Sequence, residues 1–150
     1  MLKLNLGCGF RHLDGYVNID NRQKCSPDML WDVINGLPYP DNSVDEVMAV
    51  DFLEHIPTAF VPAVIHEIWR VLKPGGKFES KTPSTDGRGA FQDFTHKSFW
   101  NINSWFYFMD DDHRDLYGIE AKFSGNCKDV VTNPAKKIIH THCILFAVKP

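Results

Sequence analysis

The sequence predicts an α/β fold built on a mostly parallel sheet, and three observations carry that expectation. Leu2 to Leu6 and Tyr16 to Ile19 alternate apolar and polar residues, the pattern of half-buried strands. Val64, Ile65, Ile68, Val71 and Leu72 fall at helical spacing within Val61 to Leu72, and Lys73-Pro74-Gly75-Gly76 ends that helix. Strand and helix patterns then alternate along the chain, which is the order of a sheet with crossovers. With 150 residues, 43% of them hydrophobic, the chain is long enough to bury one core, so residues 1–150 read as a single domain.

The elements follow in order. Strand one, Leu2 to Leu6, runs into Gly7-Cys8-Gly9, where missing Cβ atoms let the backbone turn tightly and approach a ligand. Strand two, Tyr16 to Ile19, ends in Asp20, a carboxylate able to accept hydrogen bonds from two ribose hydroxyls. A short third strand is expected near Met29 to Trp31. Asp41-Asn42-Ser43 makes a turn before strand four, Glu46 to Val50. The helix Val61 to Leu72 tolerates Pro62 in its first turn, and strand five is expected over Lys77 to Lys81. A second helix is expected over Lys97 to Phe108, then two late strands at about Gly118 to Phe123 and Ile138 to Val148.

The connections are short. Only nine residues, Gly7 to Gly15, join strands one and two, whereas a parallel crossover needs about a dozen or more. The first helices must therefore be reduced to a turn or so, which leaves part of one sheet face without cover. Lys3, Asn5, Asn18, Glu79 and Lys81 at alternate strand positions agree with a partly polar face. That face is expected to be solvated, covered by a late loop, or used for self-association, with a homodimer favoured.

A net charge of −3 gives no footprint for nucleic acid. Cys8, Cys25, Cys127 and Cys143 lack Cys-x-x-Cys spacing, so neither a zinc site nor a disulfide framework is expected, and a reduced, cytoplasmic protein is. Lys3 and Asn5 interrupt any leader-like apolar stretch, and no window reaches membrane-spanning length. No metal is expected. Asp110-Asp111-Asp112-His113 reads as a solvated acidic loop, and His140 with His142 on one strand face supplies only two ligands.

The glycine turn and Asp20 together suggest a nucleoside-cofactor site. A dinucleotide fingerprint requires a third glycine and an acid about 20 residues further on. Here His12 stands at the third glycine position, and Asp20 follows Gly9 by only eleven residues. A pyrophosphate would lose much of its anion site. S-adenosylmethionine carries no phosphate and does not require it.

Four blocks carry a family resemblance: Leu4 to Gly9, Gly15 to Asp20, Leu37-Pro38-Tyr39-Pro40-Asp41-Asn42-Ser43-Val44-Asp45 running into Leu53-Glu54-His55, and Arg70-Val71-Leu72-Lys73-Pro74-Gly75-Gly76. In their order and spacing the chain resembles the class I S-adenosylmethionine-dependent methyltransferases, in particular the small type 11-like branch. The resemblance covers about the first 82 residues, thinning afterwards to Asp93-Phe94-Thr95-His96-Lys97. It implies a Rossmann-like sheet whose two late strands form an antiparallel hairpin, and S-adenosylmethionine bound over the ends of strands one, two and four. Gly7, Cys8 and Gly9 would contact the methionine part, Asp20 the ribose, and Asp32 with Val33 the adenine edge. Val50 and Asp51 would lie beside the amino group and the methyl.

Each assignment has a plainer counterpart. Asp20 and Asp32 could cap turns, and Glu67 with Arg70 reads as a structural pair. His55 is either a general base or a loop support. His96 is the leading base candidate, with Asp93 as the alternative. Phe91, Phe94, Phe99, Trp100, Trp105, Phe106, Tyr107 and Phe108 suit an acceptor pocket, though half or more of them would equally pack a helix onto the sheet. The expected activity is methyl transfer to a small-molecule acceptor. Oxygen is preferred, because Asp51-Phe52-Leu53-Glu54 stands where many amide and base N-methylating enzymes carry Asn/Asp-Pro-Pro-Tyr. The alternative is a non-catalytic S-adenosylmethionine-binding scaffold or partner subunit.

Overall fold

The computed structural model describes residues 1–150. Its sheet has seven strands: β1 (Lys3–Leu6), β2 (Val17–Asp20), β3 (Met29–Leu30), β4 (Val44–Val50), β5 (Leu72–Pro83), β6 (Phe123–Asn133) and β7 (Ile138–Ala147). Their order is β3-β2-β1-β4-β5-β7-β6, with the first five parallel and β7 antiparallel to both neighbours. This is the Rossmann-like, mostly parallel sheet with an antiparallel C-terminal hairpin.

The one long helix, α1 (Val61–Val71), connects β4 to β5 and lays Val64, Ile65, Ile68 and Val71, all buried, on the sheet. They meet Leu4, Leu6, Val47, Ala49, Phe78 and Leu145 in the core, joined there by Trp105 and Phe108. The Leu37–Asp41 block is fixed to this helix by Arg70, which reaches the Leu37 and Tyr39 carbonyls at 3.0 Å and Asp41 at 2.6 Å. Glu67 pairs with Arg70 at 2.7 Å and accepts from the Leu37 backbone at 2.8 Å, so the expected structural pair extends into a clamp.

The first two connections hold no α-helix, only a single turn at Gln23–Cys25. The β1–β2 loop folds over part of the opposite sheet face, where Asn5 donates to the Arg11 carbonyl and to Asn18, both at 2.9 Å. An early loop, not a late one, therefore gives partial cover. The remainder is a solvated ion-pair row in which Glu46 joins Lys3 and Lys77, each at 3.1 Å, and Glu79 joins Lys77 at 2.8 Å and His142 at 2.9 Å.

Three expectations require correction. β5 starts at Leu72 and not Lys77. Val44 faces Leu72 and Glu46 faces Lys77, so β5 advances five residues where β4 advances two, and Lys73-Pro74-Gly75 arches out as an exposed bulge. The helix expected over Lys97 to Phe108 is replaced by an extended stretch and short turns. Asn101 and Ser104 form a capping box that starts a turn only at Ile102, leading into α3 (Phe106–Met109), while α2 (Gly89–Gln92) lies upstream. The late strand expected at Gly118 to Phe123 begins at Phe123, because α4 (Asp111–Tyr117) occupies the preceding segment and Gly118 closes it at φ 65°.

The acidic run Asp110-Asp111-Asp112-His113 is thus not a loop. Asp110 caps α4 and bonds the His113 backbone and ring, and Asp111 pairs with Arg114 and Lys122. The cysteines also differ from expectation. The β6–β7 register places Cys127 opposite Cys143, and the two form a disulfide, while Cys8 and Cys25 are free and buried. No helix is long and apolar enough to cross a membrane.

Candidate active site

The site forms at the C-terminal ends of β1, β2 and β4, where open parallel sheets place their clefts. Beyond β1, Gly7 and Gly9 adopt φ of 62° and 51°, the left-handed region that side chains rarely take. A Cβ on Gly7 would also overlap the Phe52 ring. Asp20 closes β2 and is almost fully buried, accepting from the Gly9 backbone at 2.9 Å and from Arg22 through both backbone and guanidinium. Burial pushes this carboxyl up, but the hydrogen bonds from Arg22 and Gly9 outweigh it and hold its pKa below the usual range.

Asp32 caps the turn Val33–Asn35 by accepting from the Ile34 backbone at 3.2 Å, and also accepts from Asn21 at 3.3 Å. Asp51 follows β4 with φ 50°, bonded through its backbone to the Lys81 carbonyl at 2.9 Å and through its side chain to His140 at 3.0 Å. Burial raises this carboxyl's pKa, and the contact and charge of His140 reverse the shift.

Two adjoining cavities share Gly7 and Asp51. One, of about 580 Å³, is lined by Asp20, Asp32, Val33, Phe52, His55 and Phe94, among others. The other, of about 500 Å³, is lined by Cys8, Gly9, Arg11, Arg22 and Val50. Every residue expected at the cofactor therefore lines one of these two spaces.

The expected bases divide. His55 lines the larger of the two cavities, its Nδ1 3.3 Å from the Thr95 hydroxyl. His96 does not reach that wall. Its ring stands edge-on behind His55, with centroids 5.0 Å apart, and its Nδ1 bonds the Ala90 carbonyl at 2.8 Å. Asp93 is occupied by Thr95 at 2.7 Å. Glu54, between Asp51 and His55, is 2% exposed, and neither carboxylate oxygen has a hydrogen-bond partner. Burial, reinforced by the nearby charges of Asp51 and Asp93, pushes its pKa up to about 8.

Three of the eight aromatics serve packing, and the other five are exposed. Trp100, Trp105 and Phe108 are core residues, and Phe99 and Tyr107 line a separate cavity of about 770 Å³ beside the start of α1, remote in the chain from the glycine turn. Phe94 alone of the group lines a cavity with Asp20 and is fully exposed.

Arg22, Glu54 and His140 were missed as site residues. Arg22 follows Asp20 by two positions, a spacing that would have revealed the pair, and Glu54 adjoins His55; His140 drew notice only beside His142 as an insufficient ligand pair, and nothing local links it to Asp51.

Comparison with known proteins agrees with this fold. Residues 16–79 match the family model described as a methyltransferase domain. Over 85 residues the chain is 34% identical to a sterol 24-C-methyltransferase of Yarrowia lipolytica, covering 56% of this chain and 17% of that protein. The chain thus spans about one sixth of the curated relative it matches.

Among solved structures, a Haloferax volcanii methyltransferase in complex with the activator Trm112 superposes with a TM-score of 0.74 at 13% identity, over 99% of this chain and 82% of that one. A Methanosarcina mazei S-adenosylmethionine-dependent methyltransferase gives 0.65 at 17% identity, over 99% and 92%. A Burkholderia thailandensis N1-methyltransferase bound to S-adenosylhomocysteine gives 0.66 at 13% identity, over 99% and 71%.

Proposed function

We propose that the chain is a class I S-adenosylmethionine-dependent methyltransferase that transfers a methyl group to an oxygen of a small-molecule acceptor, a reading supported by the family-model match, the sterol methyltransferase relative and the shared fold. The observation that carries this is the convergence of Gly7, Asp20, Asp32, Val33 and Asp51 on one cavity, with Cys8, Gly9 and Val50 on its neighbour. The donor set fits the cofactor: a buried, ionised Asp20 for the ribose, and a left-handed glycine turn without the third glycine a pyrophosphate needs.

When bound, S-adenosylmethionine supplies a methyl on a sulfonium that is already a good leaving group. The chain's task is then alignment and exclusion of water. Asp20 holds the ribose hydroxyls, with Arg22 keeping it charged. Asp51, fixed by His140, holds the amino group. Phe52 backs the glycine turn and Phe94 overhangs the opening, and the acceptor enters beside His55.

A second reading is favoured by the absence of a helix behind the glycine turn: a cofactor-binding subunit whose pocket a partner completes, as a partner accompanies the Haloferax methyltransferase. The partner would be another subunit or a second copy.

Calorimetric titration with S-adenosylhomocysteine tests the proposal. Micromolar binding lost in Asp20→Ala supports it, after which acceptors bearing hydroxyls are screened for methylation. Binding without turnover of any acceptor favours the subunit reading, and a folded chain that does not bind refutes both.

A further inference from the structure

We propose that Glu54, His55 and His96 form a binding site for a divalent metal ion of the zinc class. Their ligand atoms all lie within 4.8 Å of one another. Small side-chain rotations close that span to the roughly 3.4 Å between tetrahedral ligands held about 2.1 Å from an ion. The second observation is Glu54 itself, 2% exposed with both carboxylate oxygens unpartnered. A buried carboxylate without a partner is strongly unfavourable, and a cation between it and the two imidazoles removes the deficit.

The surroundings are those of a metal site. His96 donates Nδ1–H to the Ala90 carbonyl at 2.8 Å, which fixes the tautomer and leaves a lone pair on Nε2, 3.7 Å from Oδ2 of Asp93. His55 takes the same tautomer by donating Nδ1–H to Thr95, whose carbonyl lies 3.4 Å away. The two segments that carry the ligands are tied together by the Glu54 carbonyl, which accepts from Lys97 at 2.7 Å and Ser98 at 3.1 Å. Ser98 adds a hydrogen bond to the Leu53 carbonyl at 2.9 Å. Asp51 and Asp93 contribute further negative charge nearby.

The donor set selects the ion. One carboxylate oxygen and two imidazole nitrogens suit zinc, cobalt, iron or manganese, whereas magnesium and calcium prefer oxygens alone. Three protein ligands leave coordination positions open, the arrangement of a catalytic site rather than a structural one. His55 stands on the cavity wall, so an open position faces the acceptor space. Under the methyl-transfer reading, on which this last step rests, the ion would bind the acceptor's hydroxyl and lower its pKa, so that its proton leaves to solvent water and the oxygen bonds the methyl carbon as the carbon–sulfur bond breaks. His55 and His96 then serve as ligands and not as bases.

Other groupings of these residue types are already satisfied. His140 and His142 are held by Asp51 and Glu79, and Asp110 and Asp111 by partners on or beside α4.

Titration of the metal-free full chain with Co2+ alone, read by its visible ligand-field bands, tests the site without cofactor or acceptor. One Co2+ per chain with intense low-coordinate bands, displaced by Zn2+, is expected. Glu54→Gln removes the carboxylate ligand while keeping its shape, and together with His96→Gln it should weaken binding about a hundredfold or more; His113→Ala should leave it unchanged.

Absent bands in a folded chain overturn the proposal, as does binding that survives both ligand substitutions or that His113→Ala abolishes. Since S-adenosylhomocysteine binding is measured separately, a chain that binds the cofactor product but not Co2+ refutes this site alone.

Discussion

His140 on β7 sets its Nε2 3.0 Å from Oδ1 of Asp51, 89 residues away in sequence, while its Nδ1 lies 2.6 Å from the Thr132 hydroxyl. An ionised carboxylate only accepts, so the ring donates Nε2–H to Asp51. The last hairpin thereby steadies a residue held at φ 50°, a conformation uncommon outside glycine, at the point where both cavities meet.

Under the proposed function, in which Asp51 holds the cofactor's amino group, this contact should make cofactor affinity depend on pH in a defined direction. The His140 contact keeps the Asp51 pKa low, so its charge survives into acid. In His140→Ala the carboxyl reverts towards the raised value that burial alone would impose. Affinity for S-adenosylhomocysteine should drop about tenfold, or 1.4 kcal/mol, near neutrality. It should also decline at higher pH than in the parent. Calorimetry at intervals between about pH 7 and pH 4 reads both effects, and superimposable profiles would show that the residues are uncoupled.

Gly7→Ala meets two penalties, a left-handed φ of 62° and overlap with the Phe52 ring. A loss of at least about 2 kcal/mol in urea unfolding is expected. The double variant Gly7→Ala/Phe52→Ala should be less destabilised than the sum of the singles, because the overlap is gone. Strict additivity would mean that the φ penalty acts alone.

Asp20 contributes stability with a clear sign. Its folded pKa is depressed, so the contribution is complete above the ordinary aspartate value and lost as pH falls through the folded value. Asp20→Ala should cost about 1–3 kcal/mol at pH 7, at the lower end because Arg22 is largely exposed and screened. The difference from the parent should shrink below about pH 4. A gap that persists at low pH would place the effect in packing.

Arg70→Ala should release the Leu37–Asp41 block from α1 and lower stability by about 2 kcal/mol, seen as a reduced urea midpoint at constant slope. Arg70→Lys should recover little, since an ammonium cannot reach Glu67, Asp41 and two carbonyls at once. Full recovery with lysine would reduce the clamp to simple charge.

Local chemistry made much of the fold legible. The alternation in β1 and β2, the amphipathic period of α1 and the glycines after β1 each act within a few residues. Strand bounds there fell within a residue or two, and Gly7 and Asp20 stand at the strand ends where the local pattern put them. The second half was less legible. β6 is mostly exposed and reads Ser124-Gly125-Asn126-Cys127-Lys128 with no apolar alternation, because a sheet edge need not bury a face. The helix expected from Lys97 does not form: Lys97 and Ser98 are tied to the Glu54 carbonyl in an extended stretch, and the Asn101–Ser104 capping box opens a turn only at Ile102.

By itself, then, the sequence determined the strand–helix order of the first half, the glycine turn, the carboxylate that ends β2 and the shortness of the first crossovers, since each depends on neighbours in the chain. Only the tertiary structure decided that His96 stands behind His55 and not over the cavity, that Glu54 is buried without a partner, and that Cys127 faces Cys143. It also decided that His140 reaches Asp51. These contacts join segments between 16 and 89 residues apart, and sheet register and loop path, not local pattern, bring them together.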